Sequence, residues 1–130
     1  MIDRNKMLAV IICGSRVFND RTLISHVVFN NSLPDFIVTG GAEGADSIGE
    51  SLADFHDIPL IVMRAQWDKH GRAAGPIRNA GMLDVLNALR ECGWETMVYA
   101  FPLGKSPGTR GMIRLAGMAD IPCTVTEGAQ

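Results

Sequence analysis

Short apolar runs alternate with helix-patterned stretches along this chain, and three of the runs open directly into glycine-rich turns. Residues 8–13 are apolar without a break, as in a strand buried on both faces, and Gly14-Ser15-Arg16 follows them. Phe36-Ile37-Val38 runs into Thr39-Gly40-Gly41-Ala42-Glu43-Gly44-Ala45-Asp46. Residues 97–101 run into Pro102-Leu103-Gly104-Lys105-Ser106-Pro107-Gly108-Thr109. Strands alternating with helices predict an α/β fold, here one domain over 1–130. Its parallel sheet has about five strands, with helices on both faces. Ligands of doubly wound sheets lie beyond the carboxyl ends of the strands, so all three turns are expected on one edge.

The remaining elements follow from the same patterns. Asp20 is an N-cap residue ahead of Leu23, Ile24, Val27 and Val28, which share a helix face; Asn30-Asn31-Ser32 and Pro34 end that helix. A second helix spans about 43–56, with Ala45, Ile48, Leu52 and Ala53 at helical spacing. Residues 60–63 read as the third strand and 66–75 as a polar loop. Pro76 suits the first turn of a helix that continues through Ile77, Ala80, Leu83, Leu86 and Leu89. A last helix carries Met112, Ile113, Leu115 and Ala116, and 122–126 read as a fifth strand before a polar tail.

The formal net charge of −2 gives no overall attraction to nucleic acid or anionic membrane. A local basic patch is still open to the chain, because Arg16, Arg64, Lys69, Arg72 and Arg78 fall in or near the turns. Cys13, Cys92 and Cys123 are widely spaced and form no C-x-x-C pair. Cys13 and Cys123 lie in apolar runs and read as buried free thiols of a reducing compartment. Asp3 comes early and the first apolar run is short, unlike a signal peptide, and no stretch reaches the length of a membrane span. A cytoplasmic protein is expected. No Cys, His and Asp spacing points to a metal, and no cofactor is expected.

The turns carry the chemistry. A strand that passes through glycines into a helix presents bare N–H groups at the positive end of a helix dipole, where a phosphate or other anion is favoured. In the second turn Gly40 and Gly41 allow close approach, and Gly44 lets the helix start against the sheet or a ligand. Asp46 has two readings, complementing the dipole or holding ribose hydroxyls or a water. Neither G-x-x-x-x-G-K-[ST] nor G-x-G-x-x-G is present. In the first turn Ser15 and Arg16 can donate to an anion. Trp67 can stack on a base or anchor its loop. Arg78 and Asn79 are expected in the first turn of their helix, where a cation is unfavourable unless an anion shares the site. Thr109 caps its helix or donates to a phosphate.

Taken together, Gly14-Ser15-Arg16 with Phe18 and Asp20, Thr39-Gly40-Gly41-Ala42 with Gly44-Ala45-Asp46, Trp67, Ala74-Gly75-Pro76 with Arg78-Asn79 and Met82, and Ala100-Phe101 with Gly104, Gly108 and Thr109 resemble the SLOG superfamily. This Rossmann-like group includes the LOG phosphoribohydrolases and the DprA/Smf fold. The nearest likeness is to its YspA/cpYpsA-related branch. The resemblance implies a Rossmann-like sheet and a site for nucleotides or nucleotide-derived ligands, ADP-ribose among them. LOG enzymes release free base from nucleoside monophosphates and carry a signature similar to P-G-G-x-G-T-x-x-E. Arg78 matches their arginine and Gly108-Thr109 their G-T. Here two extra residues lengthen the loop, and Met112 stands at the glutamate position.

The expected function is therefore binding of a nucleotide-type ligand by a sensor or sequestering module, at Gly14, Ser15, Arg16, Thr39, Gly40, Gly41, Ala42, Gly44, Asp46, Trp67, Arg78, Asn79, Gly104, Gly108 and Thr109. The alternative is a nucleotide N-glycosidase or phosphoribohydrolase, with Arg78 positioning phosphate or ribose and Asp46 assisting water. DprA-like DNA binding is a third reading, weighed down by the acidic balance. Met82, Met112 and Met118 read as core or as the interface of a homodimer.

Overall fold

The computed structural model describes residues 5–30 and 32–129; Asp3 and Asn31 lie outside them. Five parallel strands form one sheet: β1 (Leu8–Gly14), β2 (Phe36–Thr39), β3 (Leu60–Val62), β4 (Glu95–Phe101) and β5 (Cys123–Val125), in the order β3-β2-β1-β4-β5. Between them run helices α1 (Arg21–Phe29), α2 (Ala45–Phe55), α3 (Trp67–His70), α4 (Ala74–Glu91) and α5 (Pro107–Met118). The expected Rossmann-like α/β architecture is present.

The unbroken apolar run at the N-terminal end becomes the central strand. Side chains alternate across a strand, so Leu8, Val10 and Ile12 enter one core with α1 and α2. Ala9, Ile11 and Cys13 enter the other core with α4 and α5. Each fully buried Val, Leu or Ile contributes roughly 1.5–3 kcal/mol, and the β1 core residues are nearly all inaccessible. The Asp20 carboxylate accepts from the Leu23 N–H at 3.0 Å and caps α1 as expected.

Residues 66–75 depart from the expected loop. They form α3, a 3-10 turn (Gly71–Ala73) and the start of α4. α4 begins at Ala74, two residues before Pro76, because proline is tolerated anywhere in a first turn whose N–H groups have no helical partner. Its buried stripe is Gly75, Asn79, Met82, Leu83 and Leu86, while Ile77 and Ala80 face solvent. Met82 and Met112 are core and Met118 is exposed. Cys13 is buried, but Cys123 on the edge strand is only half-buried. No helix among the described residues is long and apolar enough to cross a membrane.

Candidate functional site

The strand order reverses between β1 and β4, and the turns after these strands part to leave a crevice. The Ser15 N–H donates to the Phe101 carbonyl at 3.0 Å, joining the two strand ends at its base. Gly14 is required there. A Cβ would lie 2.6 Å from that of Ala45 and 2.9 Å from that of Phe101. Gly44 holds φ +77° with its α-carbon against the Ser15 and Arg16 backbone, and the Ala45 N–H donates to the Ser15 carbonyl at 3.2 Å. The first and second turns are thus locked together.

Above them lies a cleft of about 1010 Å³. It is lined by Gly14, Ser15 and Arg16 from the first turn, by Gly40, Gly41, Ala42 and Asp46 from the second, and by Gly108 and Thr109 from the third. Trp67, Arg78 and Asn79 complete the wall. Thr39, Gly44 and Gly104 do not line it. The Thr39 hydroxyl instead donates to Glu50 at 3.1 Å, and the Gly104 carbonyl accepts from Arg110 at 2.6 Å.

The second turn already holds an anion of its own. The Asp46 carboxylate, only 3% exposed, accepts from the Gly40 N–H at 2.9 Å and the Ala42 N–H at 3.5 Å. Two of the donors that the sequence offered to a phosphate are occupied by the chain. Burial pushes the Asp46 carboxyl up from 3.8 to about 6, while the Arg78 guanidinium and the two N–H bonds oppose that rise. Cys13 forms part of the cleft wall; burial raises its thiol well above the usual value, so it stays protonated.

Arg78 sits in the second turn of α4, not the first, because the helix starts at Ala74. The clash with the helix dipole expected from the sequence is accordingly weaker. Its Nη1 donates to the Gly40 carbonyl at 2.6 Å and its Nε to the Asn79 Oδ1 at 2.9 Å. The Asn79 amide then donates to the Gly108 carbonyl at 3.2 Å. These two adjacent residues bridge the second and third turns.

Two further arginines enter. Arg64, just past β3, donates to the Gly41 carbonyl at 2.9 Å, and Arg72 lines the mouth. Both were visible in the sequence as basic residues near the strand ends. Arg16 lies 6.0 Å from the centre of the Trp67 ring, which is 49% exposed. Four arginines, Arg16, Arg64, Arg72 and Arg78, therefore line the cleft together with Glu43 and Asp46. At the opposite wall, no side chain caps the N-terminus of α5, and its first turn carries no acid. Among the described residues, no three His, Cys, Asp or Glu gather in a metal-holding group.

Residues 8–70 match the model of the YspA, cpYpsA-related SLOG family. The gene 61 protein of Mycobacterium phage D29 is 35% identical over 125 residues, covering 89% of this chain and 94% of that protein. The chain belongs to this SLOG family. Membership points, at the coarse level, to a nucleotide-related small molecule. The family match covers the first two turns and Trp67 of this SLOG protein, whereas Arg78, Asn79 and the third turn follow it in the chain.

Proposed function

We propose that this SLOG protein binds a nucleotide or an ADP-ribose-like ligand as a sensor or sequestering module. One observation carries the reading: four arginines converge on a single cleft in a chain whose net charge is −2. That concentration of cations favours an anionic ligand locally. The cleft volume suits a ligand of nucleotide size. The uncapped start of α5, with Gly108 and Thr109, offers N–H and hydroxyl donors to a phosphate. Trp67 and Arg16 offer flat partners for a base at the mouth.

Binding without cleavage is favoured by Met112. It is fully buried, lines the cleft, and stands where the LOG signature places glutamate. Breaking an N-glycosidic bond calls for a carboxylate that activates water and answers positive charge on the ribose. The second reading, a phosphoribohydrolase, draws on Asp46, whose carboxyl burial pushes up to about 6 at the cleft wall.

Nucleoside monophosphates and ADP-ribose at millimolar concentration are expected to raise the melting temperature, since a ligand of the folded state alone stabilises it. No shift across such a panel counts against the nucleotide reading. Chromatography of the same mixtures is expected to show no base released beyond the level of an Arg78→Ala variant. Steady release by the wild type alone would establish the hydrolase reading instead.

A further inference from the structure

We propose that Arg110 and Glu127 are positioning residues, and that segment 126–129 is a strap setting the shape of the β4–α5 turn. The ligand arm of this inference rests on the nucleotide reading above. Arg110 lies in the first turn of α5 but does not line the cleft. Its Nη2 donates to the Gly104 carbonyl at 2.6 Å and its Nε to the Lys105 carbonyl at 3.1 Å. Both outer nitrogens also donate to the Glu127 carboxylate, each at 3.0 Å. The Gly128 N–H donates to the Pro102 carbonyl at 2.8 Å, and the Thr126 N–H to the Ala100 carbonyl at 2.9 Å.

Three carbonyls of one turn, those of residues 102, 104 and 105, are thus held outside the cleft. The donor-bearing residues Gly108 and Thr109 are left on the cleft side. Gly128 also lies tightly over Phe18, where a Cβ would come within 2.8 Å of the ring, and Phe18 packs on Phe101 at 5.4 Å. The strap therefore touches both turns that flank the switch in strand order. Glu127 has a second task. A cation in the first turn of a helix is unfavourable, and the bidentate carboxylate neutralises Arg110 there. Both side chains are exposed, so their pairing contributes little to global stability. The consequence of losing it is local.

Hydrogen exchange of the hydrogen-bonded amides of the turn and strap, those of Leu103, Arg110, Thr126 and Gly128, read beside urea unfolding, tests the strap without any ligand. Glu127→Gln is expected to speed exchange in that turn at least tenfold with an unchanged urea midpoint, and Glu127→Asp to restore part of the protection. Arg110→Lys, which keeps the charge and loses the fork, reads the same turn should Glu127→Gln fail to fold. Wild-type exchange in both variants overturns the proposal. So does a loss of protection that spreads evenly over all strands, which marks a structural role only. Titration with AMP supplies the ligand arm, where Glu127→Gln is expected to weaken binding about fivefold. If the wild type binds no nucleotide, the nucleotide reading fails while the exchange result still decides the strap.

Discussion

Arg78 holds the Gly40 carbonyl at 2.6 Å, joining the second turn of α4 to the turn that follows β2. The same guanidinium holds Asn79, whose amide reaches Gly108. One cation therefore fixes the spacing of two walls of the cleft while adding positive charge to it.

Arg78→Ala should reveal both roles. Hydrogen bonds to charged groups contribute about 1.5–3 kcal/mol, so the unfolding free energy is expected to fall by roughly that amount in urea. Affinity for AMP or ADP-ribose should fall at least tenfold by calorimetry. Arg78→Lys should recover little of either, because an ammonium cannot reproduce the fork. Equal affinity in wild type and Arg78→Ala would remove this residue from the site.

Asp46 predicts a pH dependence with a definite sign. Its carboxyl is raised on folding from 3.8 to about 6, so the folded state takes up the proton more readily than the unfolded chain. The stabilisation from protonation is complete below 3.8 and is lost as pH rises through about 6. At pH 7.5 the ionised form carries a penalty on the order of 3 kcal/mol. Asp46→Asn, which can still accept from the Gly40 N–H, should flatten the stability difference between pH 5 and pH 7.5. An undiminished difference in the variant would assign that dependence to other groups.

Two glycines with positive φ separate conformational from steric effects. Gly71, at φ +56°, has open space around it, whereas Gly44, at φ +77°, faces the Ser15 carbonyl. Gly71 also has ψ −132°, a conformation nearly confined to glycine, so Gly71→Ala should cost about 1–3 kcal/mol through the backbone alone. Gly44→Ala adds a clash with main chain and should cost at least about 3 kcal/mol in urea unfolding, near the upper range of single substitutions. Similar losses at the two sites would mean that the first two turns separate easily.

Trp67 should report ligand at the mouth. Adenine nucleotides are expected to quench tryptophan emission in the wild type, and Trp67→Phe should abolish the change while largely keeping affinity. Trp94, partly buried against the α4–α5 core, remains as the unresponsive background. Quenching that persists in Trp67→Phe would place the base elsewhere.

Much of the fold was legible because it rests on local pattern. The run before Gly14 read as a strand covered on both faces, and Asp20 capped the helix its side chain announced. The start of α4 was less legible, since Gly71, Gly75 and Pro76 suit a loop as well as a first helical turn. Asn79 was expected at the site, but the partner that holds it there was not legible, for a different reason. Its amide reaches the Gly108 carbonyl, a partner distant in sequence, and hydrophobic periodicity carries no trace of that bond. The second turn shows the same limit. Its glycines announce bare N–H groups, but only the folded chain brings the Asp46 carboxylate onto two of them.

The β1–β4 pairing has a kinetic consequence. It aligns Leu8 with Glu95 and Gly14 with Phe101, residues 87 positions apart in the chain. Contacts so remote in sequence form late and slowly. The first half of the protein carries β1, β2 and β3 but only one side of the cleft. A ligand spanning both sides would thus recognise the finished molecule alone, and its capture would mark the moment when folding is complete.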